Sequence, residues 1–492
     1  MPRLIRPIAL WTLLAALLIG VAASAQDYVP FTQFQTIATT GSVDWEAFAI
    51  GSDTYLVVAN FTDGNTGILN SYIYRWNGTS FVEFQSIVTN RAADWEAFTI
   101  DGDNYLALAS KTNFGSVIYR WNGNAFVEVQ TIPTNGAFDW EAFTIGNDTY
   151  LAVANSYDGT THNVDSRVYR WDGIAFIEEQ AIPTNDALDW EAFTIGSDTY
   201  LAVANHYDDV TYNISSRIYR WNGSAFVEVQ TIPTNGAFDW EAFTIGNDTY
   251  LAVANSYASN YDGYNVDSRI YRWDGVSFVE VQAIPTSGAT DWEVFTIGTD
   301  TYLAVANSND GTTNDIDSRI YHWDGSAFAE VQAIPTSSAY GWTAFNIDGD
   351  PYLAVANYKS GSNPNIDSYI YSAPQPGPSC QLDLQGGYAN GQLTLAYDFE
   401  TGSTPVLWSN AITIQGNWIP LWSVSLPAGL SYNNAISFNF PNFGRVGVFT
   451  QFTDSAGIQC YDFQLIETGA TNFLTSFDWT GLGSFMPADL PK

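Results

Sequence analysis

The chain has 492 residues, and its 16 Lys+Arg against 52 Asp+Glu give a formal net charge of -36. So few cations exclude recognition of a nucleic-acid backbone, which depends on Lys and Arg displacing phosphate counterions. Hydrophobic residues make up 46%, aromatics 16% and charged residues 14%, so the chain can bury a large core and is no disordered acidic tail, while two cysteines and three histidines leave room for one disulfide and little else that ligates soft metals.

Arg3 and Arg6 precede an apolar run from Ile8 to Ala23, and Ala23-Ser24-Ala25 supplies the small residues of a signal-peptidase site. The run is short for a spanning helix. Residues 1–25 are therefore expected to be a cleaved signal peptide, leaving a mature chain of charge -38 with no membrane span. That chain would be secreted to an extracellular or periplasmic space or to a cell surface.

One unit then recurs across residues 26–372. Asp-Trp-Glu-x-Phe surrounds Trp45, Trp95, Trp140, Trp190, Trp240 and Trp292, with a degenerate copy at Trp342, at intervals of 45 to 52 residues. Phe-x-x-x-Gln accompanies it from Phe31/Gln35 to Phe328/Gln332, as does an Ile/Val-Tyr pair from Tyr74 to Tyr371. Residues 121–157 and 221–257 differ only at Asn124 against Ser224.

Each unit reads as four short strands with no helical period. In the third copy these are Trp140 to Ile145, Tyr150 to Asn155, Ser166 to Trp171 and Phe176 to Ile182, with Gly146-Asn147-Asp148 and Asp172-Gly173 as turns. Tyr-Leu-Ala-Val-Ala in the second strand is apolar on both faces, as a strand between two neighbouring layers must be. Four-stranded units at this period predict a seven-bladed β-propeller. The strand Phe31 to Ile37 comes before any Asp-Trp-Glu strand, and the last repeat ends at Tyr371 without a fourth strand. The Phe31 strand should therefore form the outer edge of blade 7 and close the ring.

These motifs, in order and in seven copies over roughly residues 31–372, resemble the epitempin-associated repeat (EAR, also called EPTP). The resemblance implies a secreted or cell-surface seven-bladed propeller that binds other proteins. The leucine-rich domain that often precedes such propellers has no counterpart here, so the resemblance names no partner.

Residues 373–379 read as a Pro-rich linker. Beyond it, Leu382-Asp-Leu, Leu393 to Tyr397, Ile412-Thr-Ile, Ile436 to Phe440 and Val446 to Phe449 alternate between turn residues, which predicts a small β-sandwich over 380–467. A bridge between Cys380 and Cys460 would contribute about 4 kcal/mol in the chain-entropy picture. Residues 468–492 form a tail or a further strand.

No Gly-x-Ser-x-Gly, His-Glu-x-x-His or phosphate loop occurs, and the polar residues that do recur are copied around a ring instead of forming one unique constellation. The chain therefore reads as no enzyme. The recurring acids are the strongest local signal. Asp44, Asp94, Asp139, Asp189, Asp239 and Asp291 begin the expected innermost strands, with Glu46, Glu96, Glu141, Glu191, Glu241 and Glu293 two residues on, while Gly341 and Thr343 interrupt the series. Like charges around a narrow channel must be protonated, hydrogen-bonded or neutralised by a hard cation. Two readings stand: each Asp caps its own turn and each Glu pairs across blades, or Asp94, Asp139, Asp189 and Asp239 hold a Ca2+.

The Asp/Gly-rich loops at Asp158, Asp208-Asp209 and Asp310 lack EF-hand spacing and read as solvated turns. Trp121 and Trp221 would pack between blades or stack on a sugar. The resulting expectation is a secreted, non-enzymatic propeller that binds an extracellular protein. The alternative is a carbohydrate-binding repeat lectin, and a propeller hydrolase or lyase is the third reading.

Overall fold

The computed structural model describes residues 30–112, 115–258 and 263–373 in full and eight strands between 382 and 478 by backbone alone. Among the described residues the chain is all β. Seven four-stranded antiparallel sheets follow one another, and the inner strands of consecutive sheets lie side by side, that of the seventh against that of the first. The expected seven-bladed propeller is therefore present.

Blade 3 shows the plan. Its strands are Ala137–Ile145, Asp148–Asn155, Asp165–Trp171 and Phe176–Pro183, from the bore outward. The first begins three residues before the sequence suggested, because pairing with the second strand runs past a bulge between Ala137 and Asp139. Leu151, Ala152, Val153 and Ala154 are wholly buried, as a strand packed on both faces requires. The core is not one mass but a series of layers between blades: Phe143 and Tyr150 of blade 3 pack with Trp190, Leu201 and Val203 of blade 4.

The recurring Phe-x-x-x-Gln motif ties these layers together. The side-chain amide of Gln180 donates to the Phe226 carbonyl and accepts from the Phe226 N–H, at 2.9 and 2.8 Å. The same reciprocal pair joins each blade to the next, ending with Gln332 on Phe31. Breaking one such pair would leave two partly buried backbone groups unpaired, at about 1–3 kcal/mol each.

Closure follows the expected scheme. Thr32–Ala38 pairs antiparallel with Asp367–Ser372 and completes blade 7, one residue out of step with the predicted bounds. Phe31 sits just before it, buried and edge-on to Phe295 of blade 6.

Past residue 382 the strands form a three-stranded sheet, Leu382–Ala389, Gln392–Phe399 and Val406–Asn410, and a five-stranded one ending in Thr475–Asp478. This last strand falls in the expected tail and pairs with Gln459–Glu467, which carries Cys460. The expected signal peptide, Cys380, the expected strand at Ile412 and the side-chain packing of a sandwich lie outside the described residues.

Candidate functional site

The inner strands bring the twelve acids to the bore, and the structure shows what holds them there. Asp94 accepts the Trp140 N–H of the next blade at 3.0 Å, Asp139 that of Trp190 at 3.0 Å, Asp189 that of Trp240 at 2.9 Å and Asp239 that of Trp292 at 2.9 Å. Asp44 and Asp291 do the same to Trp95 and Trp342. Each Asp thus reaches across to the following blade and does not cap its own turn. The turn's own donor is committed elsewhere: the Gly236 N–H, for example, bonds the Tyr212 carbonyl at 2.6 Å. The Glu series pairs across blades as expected: Glu141, for example, accepts from the Ala192 N–H at 3.0 Å.

The one seam without acids joins blade 7 to blade 1. Here Thr343 donates its hydroxyl to the Trp45 carbonyl, and a Cβ at Gly341 would stand 3.2 Å from the Val43 carbonyl oxygen.

Enclosure by seven blades thins the water around these half-buried carboxyls, and their mutual repulsion adds to the effect, although the backbone N–H donors act against it. Burial pushes Asp44 and Asp239 up to about 7 and Glu141 and Glu293 up to about 8. The other eight also stand well above the ordinary carboxylate range, with desolvation as the largest cause. At neutral pH the ring is thus a set of coupled groups sharing protons. Among the described residues no three acidic, His or Cys side chains converge as metal ligands. Any cation would have to draw on the oxygens that Asp94, Asp139, Asp189 and Asp239 do not give to the neighbouring tryptophans.

One mouth of the bore is covered by aromatic rings. Phe138, Phe238 and Tyr340, which directly precede the channel position in blades 3, 5 and 7, touch one another at 5.4 and 5.6 Å between centroids. Rings from three non-adjacent blades can meet only across the axis, so they plug it. This mouth lies on the face of the loops between second and third strands, since Ala137 pairs with Asn155 at the loop's start. Around the plug, Tyr157, His162, Tyr207, Tyr212 and Tyr257 form a chain of ring contacts between 4.6 and 5.3 Å.

The loop acids are turn-formers. Asp158, Asp208 and Asp310 each accept two backbone N–H groups two and three residues ahead. Such donors hold Asp158, and the donors at Asp310 together with the Thr312 hydroxyl hold Asp310, below the usual range. Both stay charged. Trp121 packs against Tyr55 and Phe84 of the preceding blade, and Trp221 against Tyr150, so both are inter-blade wedges.

A family model described as the EPTP domain matches seven segments, 31–77, 80–122, 125–172, 175–222, 225–274, 277–324 and 327–372. The chain belongs to the EPTP family. Among curated proteins, this EPTP chain is 56% identical over 48 residues to the thrombospondin-type laminin G domain and EAR repeat-containing protein of Mus musculus, and 54% identical to that of Homo sapiens. The match covers 10% of this chain and 7% of each relative. Similar solved structures include a polysaccharide lyase, an ulvan lyase, at 10% identity and a TM-score of 0.45, covering 70% of this chain and 94% of that one. The Dos1 propeller follows at 12% and 0.42, covering 70% and 95%. At these scores the likenesses decide nothing about activity.

Reading motifs one at a time hides the mouth of this EPTP propeller. The signal that exposes it is the departure from the repeat: the residue before the channel position is Val43, Ala93, Phe138, Leu188, Phe238, Thr290 and Tyr340 in successive blades, whereas the tryptophan two places on never changes.

Proposed function

We propose that this EPTP propeller is a secreted, non-enzymatic binding protein that uses the face of its second-to-third-strand loops to capture an extracellular protein. The observation that carries this is the contrast between scaffold and loops. Residues 121–157 and 221–257, which run from the end of the third strand of blades 2 and 4 through the second strand of blades 3 and 5, differ at one position, while residues 156–165, 206–215 and 256–267 differ in length and sequence. Of these, 259–262 lie outside the described residues. Loops on a rigid scaffold can vary without cost to the core, and recognition commonly resides there.

Asp158, Asp208, Asp209 and Asp310 give this rim a negative field, which favours a basic partner or one bridged by cations, with capture weakening as salt rises. Pull-down from an extracellular fraction should recover such a partner with the wild type and lose it when the three loops are shortened to Gly-Ser turns. Equal capture by a well-folded variant would move binding elsewhere.

A structural Ca2+ in the bore is part of the same reading. It would bind only the native state and so stabilise it. Chelator should lower the melting temperature by several degrees and Ca2+ should restore it. Unchanged melting in dialysed, metal-free protein would leave the acid ring as an inter-blade tie alone.

A further inference from the structure

The nine arginines on the third strands are all paired with Asp or Glu. Arg91, Lys111 and Lys359 lie off those strands and, among the described residues, make no ion pair. All three sit on the plugged face, over blades 7, 1 and 2. In a chain of net charge -36, unpaired cations gathered in one sector call for an explanation.

Arg91 occupies a position that costs conformational strain. It has φ 53°, and the equivalent residue is a glycine of φ 52–55° in four other blades and Asp186 and Ser338, at φ 45° and 48°, in the remaining two. At Gly41 a Cβ would stand 2.3 Å from the Thr62 carbonyl oxygen, and at Gly136 2.8 Å from that of Tyr157. A non-glycine side chain here is tolerated only against backbone preference, and such outliers gather at functional sites. Lys111 likewise stands where blades 3, 5 and 6 have Ser156, Ser256 and Ser308. The Lys111 N–H donates to the Arg91 carbonyl at 3.0 Å, so the two are neighbours.

Aromatic faces bracket the pair. The Arg91 guanidinium lies 5.5 Å from the centroid of Phe61, and the Lys111 ammonium 4.3 Å from that of Phe138. Tyr340 and Tyr358 touch at 4.9 Å beside them. Asp186 is the acid whose charge acts on Lys111, and its carboxylate also meets His206 Nδ1 at 3.0 Å.

We propose that Arg91 and Lys111 bind the carboxylate or sulfate group of an acidic saccharide, with the rings of Tyr340 and Tyr358 receiving the apolar face of its sugar. Two adjacent donors of positive charge match an oxyanion. A pyranose carries that anion on a rigid frame whose C–H face packs flat on aromatic rings, whereas a carboxylate on a flexible peptide side chain would leave the rings uncovered. Burial presses the Lys111 ammonium below its ordinary value, with Asp186 countering and Arg91 adding to the effect. An anion held there adds to the counter-charge of Asp186 and offsets the repulsion from Arg91. This site centres on blades 7, 1 and 2 and borders the protein-capturing loops at Asp186 and His206.

The test is calorimetric titration of the full chain with trigalacturonate, a sulfated galactan oligosaccharide, neutral maltotriose and tri-glutamate. One or both acidic oligosaccharides should bind, which one separating carboxylate from sulfate recognition, and maltotriose should not. The variant R91G/K111S installs the residues other blades carry at both positions, so its melting temperature should be unchanged or higher while its affinity falls at least about tenfold. Undiminished affinity in R91G/K111S, no binding of either acidic sugar by the wild type, or equal binding of tri-glutamate would each overturn the proposal.

Discussion

Deleting residues 26–38 should lower the melting temperature of the propeller by about 10 °C and make it prone to association. The deletion removes the outer strand of blade 7, which supplies six backbone register pairs to Asp367–Ser372. It also removes Phe31 and Ile37, both buried, at roughly 1.5–3 kcal/mol each, and the reciprocal Gln332–Phe31 tie that makes the ring of latches continuous. For a domain this large each kcal/mol is worth about 1–2 °C. The bared edge of Asp367–Ser372 becomes a template for a strand from another molecule. Differential scanning calorimetry with light scattering checks both parts. Unchanged melting of a monomeric deletion variant would mean that blade 7 does not need the N-terminal strand.

The second expected result is a stability that falls between pH 5 and pH 8.5. The ring carboxyls have native values raised above the roughly 3.9 and 4.3 of free Asp and Glu, to about 7 at Asp44 and Asp239 and about 8 at Glu141 and Glu293. A raised acid favours its protonated form in the fold, so its stabilising effect is complete below the unfolded value and is lost as pH climbs through the native one. The exposed turn-forming acids, such as Asp158 and Asp310, are shifted the other way. Their contribution is lost only as pH falls toward their own lowered values, so it stays constant across this window and leaves the ring isolated.

If the coupled ring holds two more protons than the unfolded chain, stability changes by roughly 2.7 kcal/mol per pH unit. Melting should therefore drop by several degrees per unit near pH 7. The variant D189N/E191Q keeps acceptors for the Trp240 and Ala242 N–H groups while removing two charges, so it should melt higher than wild type at pH 8.5 and show a flatter profile. A profile that rises with pH, or one that D189N/E191Q leaves unaltered, would mean that these carboxyls are ionised and relieved by something other than protons.

The contrast between these two results shows where the sequence is sufficient. Blade number, strand order and closure by the Phe31 strand were legible because they depend on local pattern and counting: a two-residue period, glycine turns and seven copies with one fragment at each end. Even the short errors, such as beginning blade 3 at Trp140 and not at Ala137, come from a bulge that only the pairing partner defines. The acids were found as a series, and the cross-blade pairing of the Glu residues with them, but the role of the Asp residues was not, because Asp139 and the Trp190 N–H it holds are 51 residues apart and meet only when one blade is laid against the next. The same holds for the Gln–Phe latches, visible beforehand as a motif without a partner. The plugged mouth and its unpaired cations were hidden most completely. Phe138, Phe238 and Tyr340 are about a hundred residues apart, and Arg91 looks like one more surface arginine until the ring turns seven separate single-residue departures toward a common axis. Local chemistry thus determined the repeating strand, while curvature, which is a property of the whole ring, decided which side chains would meet.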